Sequence, residues 1–241
     1  MDKAPLTPLY EGKAKKIFST SNPDEVLVEY KNSLTAFNAL KKDSLQGKGE
    51  LNNKISAALF TYLQQQGVPN HFVRQIDDTH QIVKRMSIIL VEVVVRNIVT
   101  GSLSKRLGIA DGLVLSNPLV EYYYKSDELA DPLITTDHAI AFGWATREQL
   151  KEINKYALTV NNLLQDLFRQ MGIILVDFKL EFGLDSEGRL LLADEISPDT
   201  CRFWDSATHA KLDKDRFRQD LGDVLGAYQE IWQRLQKQLG L

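Results

Sequence analysis

Between Ile173 and Ile196 the chain alternates charge with apolar bulk: Asp177, Lys179 and Glu181 are interleaved with Phe178, Leu180 and Phe182. Side chains two apart on a strand share a face. The pattern therefore predicts a strand over Ile173–Phe182, apolar on one side and charged on the other. Asp185-Ser186-Glu187-Gly188 is a turn signal, and Arg189–Ile196 reads as the returning strand of a hairpin. A four-residue turn sets Lys179 opposite Asp194 and Glu181 opposite Leu192, so Asp177, Lys179, Glu181 and Asp194 project from one face. Such a face is either a solvated surface with a Lys179–Asp194 cross-strand pair, worth at most about 1 kcal/mol, or a magnesium site. Magnesium takes oxygen ligands, one or two carboxylates among them, and completes its shell with water and phosphate. The run Asp194-Glu195-Ile196-Ser197-Pro198-Asp199 adds carboxylates at the strand end and favours the metal.

The rest of the chain supplies strands first and helices later. Ile17-Phe18 and Val26–Tyr30 are β-prone runs around the turn signal Ser21-Asn22-Pro23-Asp24. Phe72–Ile76 and Gln81–Lys84 form a second hairpin around Asp77-Asp78-Thr79, and Ile88–Val95 reads as a strand buried on both faces. Leu51, Ile55, Leu59 and Leu63 mark a helix over Leu51–Gln66 that Gly67 and Pro69 end. A longer helix spans Arg147–Met171, with Thr146 and Gln149 as a capping box and Gly172 at its end. A last helix is expected over Lys214–Leu239, capped by Asp213, with Phe217, Leu221, Leu225, Tyr228, Trp232 and Leu235 along one face. This order argues for an α+β protein rather than a repeating βαβ array. A soft boundary divides a small N-terminal lobe, residues 1–87, from a larger one, residues 88–241. No Gly/Ser-rich linker marks it, so close packing of the lobes is expected.

With 44% hydrophobic residues in 241, the chain has material for a sizeable core. Its 29 basic and 32 acidic residues give a net charge of −3, which excludes a protein built to coat nucleic acid. Local basic clusters then call for small anionic ligands. One cysteine, Cys201, rules out an internal disulfide and fits a reducing compartment. Met1–Tyr10 lacks the apolar stretch of a signal peptide, and Ile88–Val95 is too short to span a bilayer. A cytoplasmic protein without membrane partners is expected. The four histidines show no metal-ligand spacing, so zinc is not expected.

Two segments are candidates for binding phosphate. Glu11-Gly12-Lys13-Ala14-Lys15-Lys16 joins two β-prone stretches and is either a solvated basic turn or a loop whose N–H groups and lysines meet phosphates. It lacks the Gly-Lys-Ser/Thr ending of a Walker A motif. In Arg96–Arg106 a buried strand runs into a helix start at Gly101-Ser102, where free N–H donors and a hydroxyl suit a phosphate monoester. A capped turn with solvated basic residues is the alternative, and anion binding is slightly favoured.

Taken in order, several segments resemble the phosphoribosylaminoimidazole-succinocarboxamide synthase (SAICAR synthetase) family over nearly the whole chain. They are Leu9–Lys15; Gly47-Lys48-Gly49 with Asn52-Asn53-Lys54; Val94–Asn97 followed by Gly101-Ser102; Val176–Gly183; Asp194–Arg202; and Asp213–Arg218. The resemblance implies a small kinase-like N-terminal lobe over a larger ATP-grasp-like lobe, with the nucleotide between them. It implies a ligase of purine biosynthesis that consumes ATP, carboxyaminoimidazole ribonucleotide and L-aspartate through an acyl phosphate, with Mg2+. By motif, Gly12, Lys13, Ala14 and Lys15 are the nucleotide phosphate loop, and Lys84 is a further nucleotide contact. Glu181 and Asp194 are the metal ligands. Arg96, Ser102 and Arg202 hold the ribonucleotide, while Asp177, Lys179 and Asp199 line the same cleft as catalytic candidates. The segment Lys125–His138 is a candidate cover for aspartate. The oligomeric state stays open, a homodimer included. A small-molecule kinase or a nucleotide-sensing protein would use the same loop and hairpin.

Overall fold

The computed structural model describes residues 7–36 and 41–241, so the first six residues of the polar N-terminal segment lie outside the described part. The chain begins with strands β1 (Tyr10–Glu11), β2 (Lys15–Ser19), β3 (Glu25–Tyr30), β4 (Ser33–Ala36) and β5 (Lys41–Ser44). Helix α1 (Lys48–Gln65) precedes β6 (Phe72–Gln75), β7 (His80–Lys84), β8 (Ser87–Ile88) and β9 (Val91–Ile98). Then come α2 (Gly101–Leu107), β10 (Val114–Tyr124), β11 (Leu133–Ile134), α3 (Thr136–Ala141) and α4 (Arg147–Gln170). The chain ends with β12 (Ile173–Leu184), β13 (Leu190–Ala193), β14 (Cys201–Asp205), α5 (Asp215–Arg218) and α6 (Val224–Leu239).

The strands form a five-stranded sheet in the order β1-β2-β3-β7-β6, a seven-stranded sheet and a β4–β5 ribbon. This is the expected α+β class. Within the large sheet β12 is the hub: β9, β8, β13 and β14 all pair with it, each antiparallel. Its apolar face, with Phe178, Leu180 and Phe182, is buried in the main core. Helix α4 covers that core with Leu150, Ile153, Ala157, Val160, Leu164 and Leu167. The capping box forms as expected: Thr146 Oγ1 accepts from Gln149 N at 3.1 Å, and Gln149 Oε1 accepts from Thr146 N at 2.8 Å. Helix α1 contributes Ile55, Leu59, Phe60 and Leu63 to the same core, beside Tyr228, Ile231 and Leu235 of α6.

The structure corrects three local expectations. First, the hairpin pairs Glu181 with Ala193 and Phe182 with Leu192, one residue out from the expected register. The connection is Asp185–Arg189 rather than Asp185–Gly188, because Arg189 stays in the loop, its carbonyl accepting from Asp185 N at 3.1 Å. Strict alternation would now turn Asp194 away from Lys179. Asp194 instead lies just past β13 with φ 62°, a left-handed conformation to which Asp is better suited than most side chains. That break in alternation returns its carboxylate to the charged face, 3.3 Å from Lys179 Nζ.

Second, the last helix is interrupted. Asp220, Gly222 and Asp223 have φ of 55°, 70° and 43°, which ends α5 and restarts the helix at Val224. Asp223 caps α6 by accepting from Gly226 N at 3.1 Å. Asp213, the expected cap, is buried and accepts from Phe203 N at 2.7 Å and Asp215 N at 2.6 Å. Third, the aliphatic run is not one strand buried on both faces. Ile88 belongs to β8, Leu90 is exposed, and Glu92 and Val94 in β9 are only half-buried.

The start of α1 touches the small sheet. A Cβ on Gly49 would lie 2.6 Å from the Tyr30 carbonyl oxygen, which is backbone and has little freedom to retreat. Helix propensity alone makes Gly→Ala stabilising by about 1 kcal/mol. Here Gly49→Ala is expected to lower stability by about 1–3 kcal/mol instead, read as a lower denaturation midpoint. An unchanged or raised midpoint would contradict the close approach.

Candidate active site

The charged face of β12 presents Asp177, Lys179 and Glu181 in turn, and each meets a different group of partners. Lys179 Nζ lies 2.5 Å from Glu181 Oε1, 3.0 Å from Glu92 Oε1 and 3.3 Å from Asp194 Oδ2. Lys125, at the end of β10, reaches Glu181 at 2.8 Å and Glu92 at 3.6 Å. Lys15 comes from β2 of the other sheet, binds the Asp194 carboxylate directly and sits 3.5 Å from Glu195. Three lysines and four carboxylates thus interlock on one patch, drawn from both sheets.

Their proton affinities follow from that arrangement. Burial disfavours the Lys179 ammonium, but Glu181, Asp194 and Glu92 overrule it and lift the lysine well above its ordinary value. Burial likewise opposes ionised Asp194, yet Lys15 and Lys179 hold it well below the usual carboxylate range. Glu181 is lowered in the same way: burial and Asp194 oppose its charge, and Lys179 and Lys125 prevail. Glu92 is raised, burial being the largest cause. The lysines and the Glu181–Asp194 pair therefore stay charged near neutral pH.

Glu181 and Asp194 share one ammonium and are both hard oxygen donors. Among the described residues no group of three or more His, Cys, Asp or Glu side chains forms a complete metal cage. Two carboxylates with further ligands left to water and phosphate is how magnesium is usually held beside a nucleotide. The residues present fit that ion.

The loop between β1 and β2 stands over this patch. Gly12 N donates to Lys15 O at 2.9 Å, Ser33 Oγ donates to Lys13 O at 2.6 Å, and Lys31 N donates to Ala14 O at 2.8 Å. Lys13 Nζ reaches Asp127, in the exposed loop between β10 and β11, at 2.7 Å, and Lys15 of β2 binds Asp194 just past β13, so both lysines contact loops that flank the large sheet. Lys84 is elsewhere. It ends β7 opposite Glu25, half-buried, and makes no ion pair with the charged patch among the described residues.

A second cluster surrounds Asp177. Its carboxylate accepts from Arg96 Nη1 at 2.7 Å and from Arg202 Nη1 at 2.9 Å, which fixes two guanidiniums side by side. Arg96 also donates to Glu121 at 2.7 Å, Ser102 Oγ at 3.0 Å and Tyr123 Oη at 3.2 Å. Arg202 donates through Nε to Asp215 at 2.9 Å. Gly101 has φ 58°, and a Cβ there would meet the Arg202 guanidinium at 2.7 Å. Two arginines, an exposed hydroxyl and the backbone at a helix start are groups of the kind that bind a phosphate. The structure brings Arg96, Ser102 and Arg202 together, with Asp177 as their clamp.

Asp199 forms a third cluster. The fully buried Lys48 ammonium lies 2.5 Å from its Oδ2, and Tyr228 Oη donates to its Oδ1 at 2.6 Å. Burial opposes the carboxylate's charge, while Lys214 and Lys48 hold it well below the ordinary range.

Sequence reasoning did not assign Glu92, Glu121, Lys125, Lys48 or Tyr228 to the site. Glu92 left a signal, a charge inside an aliphatic run. Lys48 stood in a Gly-Lys-Gly segment and Lys125 opened the candidate aspartate cover, but neither was tied to these carboxylates, and nothing local marks Glu121 or Tyr228.

A model of the SAICAR synthetase family matches residues 8–235. The phosphoribosylaminoimidazole-succinocarboxamide synthase of Lysinibacillus sphaericus is 54% identical over 227 residues, covering 94% of this chain and 96% of its own. That of Bacillus subtilis is 54% identical over 227 residues, covering 94% of each chain. The crystal structure of the synthase from Ehrlichia chaffeensis superposes with a TM-score of 0.93 at 47% identity, covering 95% of this chain and 98% of that one. A SAICAR synthetase (Type-2) in complex with ADP superposes with a TM-score of 0.91 at 48% identity, covering 94% and 96%. The match spans both sheets and all three clusters, and the chain belongs to the SAICAR synthetase family.

Proposed function

We propose that this chain joins L-aspartate to carboxyaminoimidazole ribonucleotide at the expense of ATP, yielding SAICAR, ADP and phosphate in purine biosynthesis. The observation that carries this assignment is the convergence of Lys15, Lys125 and Lys179 on Glu181 and Asp194, in a chain 48% identical to a SAICAR synthetase held with ADP. The five-stranded sheet with its Gly12–Lys15 loop serves as the nucleotide lobe, and the larger sheet carries the substrates. Lys84, on the same small sheet, is assigned a contact to the nucleotide.

The chemistry needs help because a carboxylate is a poor electrophile. Its charge repels an amine, and oxide is a bad leaving group. Transfer of the γ-phosphoryl group to one carboxylate oxygen removes both faults. The aspartate amine then adds to the acyl carbon, the C–O bond to phosphate breaks, and the amine loses a proton as the amide forms. Such transfer is mainly positioning and electrostatics. Lys13 and Lys15 with the Gly12–Ala14 backbone are assigned to the nucleotide phosphates. Lys179 offsets charge on the moving phosphoryl group. Glu181 and Asp194 would hold magnesium, which neutralises phosphate charge when bound. Arg96, Ser102 and Arg202 hold the ribonucleotide phosphate, and Asp177 keeps the two guanidiniums in place. Asp199 acts from the side, bound to Lys48 and Tyr228.

Among the described residues no helix is long and apolar enough to cross a membrane. The buried lone thiol of Cys201 suits a reducing compartment, and a cytoplasmic location is part of the proposal.

The direct test is ADP release with ATP, magnesium, the ribonucleotide and aspartate, each omitted in turn. Release is expected only when all are present. Full release without aspartate would instead identify a small-molecule kinase.

The metal assignment has its own consequence. Glu181→Gln or Asp194→Asn is expected to lower turnover by about a hundredfold or more, with circular dichroism unchanged. Near-normal turnover of both variants at ordinary magnesium would remove these residues from the assignment.

A further inference from the structure

Strand β12 carries one residue too many for its neighbour β14. Ile173, Ile174 and Leu175 pair with Asp205, Trp204 and Phe203, but the next partners are Asp177 and Arg202, which leaves Val176 over. The ladder therefore contains a β-bulge. Its effect shows in which side chains reach the core. Ile173 and Leu175 lie in the main core, and so do Phe178, Leu180 and Phe182. Ile174 and Val176 lie on the other face, against Ile98 and Trp204. Strict alternation from Ile173 would carry Asp177, Lys179 and Glu181 into the apolar core. The extra residue changes the phase, and the three charged side chains face the site instead.

The bulge is held from the core side. The Leu175 carbonyl accepts from Asn97 Nδ2 at 3.1 Å, and the same nitrogen donates to Asn161 Oδ1 at 2.8 Å. Here the β9 ladder ends, with Arg96 opposite Asp177, and Phe203 gives its N–H to Asp213 at 2.7 Å. Side chains thus supply hydrogen bonds where the ladders are interrupted. Both asparagines are buried, Asn161 completely, in the apolar stripe of α4 beside Val160 and Leu164. Asn97 Oδ1 and Asn161 Nδ2 have no partner among the described residues. An amide pair that leaves half of its polar atoms unmet costs stability, and an aliphatic pair of similar shape would cost less. Two buried amides at a bulge therefore point to a requirement of the site rather than of the core.

We propose that Asn97 and Asn161 are positioning residues, which pin the β12 bulge and thereby aim Asp177 at Arg96 and Arg202. The proposal rests on the ligase assignment above. Neither amide hydrogen-bonds a charged group of the site; they act through the Leu175 carbonyl, two positions from Asp177. The Asp177 carboxylate in turn sets the two guanidiniums side by side. The Glu181 end of the strand is fixed independently, by pairing of Glu181 with Ala193 and of Gly183 with Ile88. Loosening the bulge therefore disturbs the arginine end, assigned to the ribonucleotide, and spares the lysine end, assigned to the nucleotide.

The test uses the full chain with ATP, magnesium, the ribonucleotide and aspartate. Asn161→Ala removes the anchor without overfilling the core. It is expected to raise the KM for the ribonucleotide about tenfold or more, because small displacements of positioned groups have effects of that order. The KM for ATP should stay within about twofold. Asn161→Asp, which keeps an oxygen to accept from Asn97, should recover most of the loss. Val160→Ala, a truncation beside Asn161 on the same helix, should lower the denaturation midpoint and leave both KM values within about twofold. Amide hydrogen exchange should lose protection at Leu175–Asp177 in Asn161→Ala, with Lys179–Phe182 unchanged. A ribonucleotide KM within about twofold of wild type, an equal rise for ATP, or the same rise in Val160→Ala would overturn the proposal while leaving the ligase assignment standing. A wild-type chain that makes no amide product from the three substrates would overturn both.

Discussion

The Lys179 ammonium is the contact on which the rest of the site depends. It lies among Glu92, Glu181 and Asp194, whose carboxylates are mostly buried while Lys179 stays about a quarter exposed (26%). Burying carboxylates without partners is costly, and neighbouring carboxylates add mutual repulsion. Lys179 and Lys125 answer that cost from within the large sheet, and Lys15 answers it from the small one. The two sheets are therefore joined through the same charges that are assigned to the chemistry. Removing one member of such a network strands the others, and the damage is greater than the net worth of any single pair. On the proposed assignment, bound phosphates would compete with the carboxylates for these lysines, and a magnesium ion held by Glu181 and Asp194 would compete with the lysines for the carboxylates.

One strand delivers both halves of the site. Along β12, Asp177 and Glu181 are separated by about 13 Å of extended chain. Asp177 gathers Arg96 and Arg202 at one end, and Glu181 meets Lys125 and Lys179 at the other. On the proposed assignment, a carboxylate substrate anchored by its phosphate at the arginines would extend towards the lysines. The apolar face of the same strand is locked into the main core, where Phe178 and Phe182 are almost completely buried. The charged face inherits its rigidity from that packing.

Much of this was legible in the alternation of residues 177–182, because a period of two fixes which side chains share a face. The register was not. It depended on whether Arg189 paired or stayed in the loop, and one residue there shifts every cross-strand neighbour. Asp194 reached the right face only because it adopts a left-handed conformation, which no periodicity announces. The break before α6 was hidden for a similar reason. Phe217, Leu221 and Leu225 keep a helical spacing across it, although Gly222 and Asp223 reverse the backbone and Leu221 is exposed. Lys48 was visible between two glycines, but nothing local shows that its ammonium is wholly buried against Asp199. Contacts of that kind join residues more than a hundred positions apart, and they become visible only when the chain is folded.

The central claim is that this constellation activates a carboxylate by phosphorylating it. The most direct measurement places ¹⁸O in the imidazole carboxylate of the ribonucleotide and follows the label through complete turnover. The account predicts one labelled oxygen in the inorganic phosphate released, because the acyl C–O bond breaks when the amine displaces phosphate. Inorganic phosphate free of label, with ADP formed and the amide made, would contradict it.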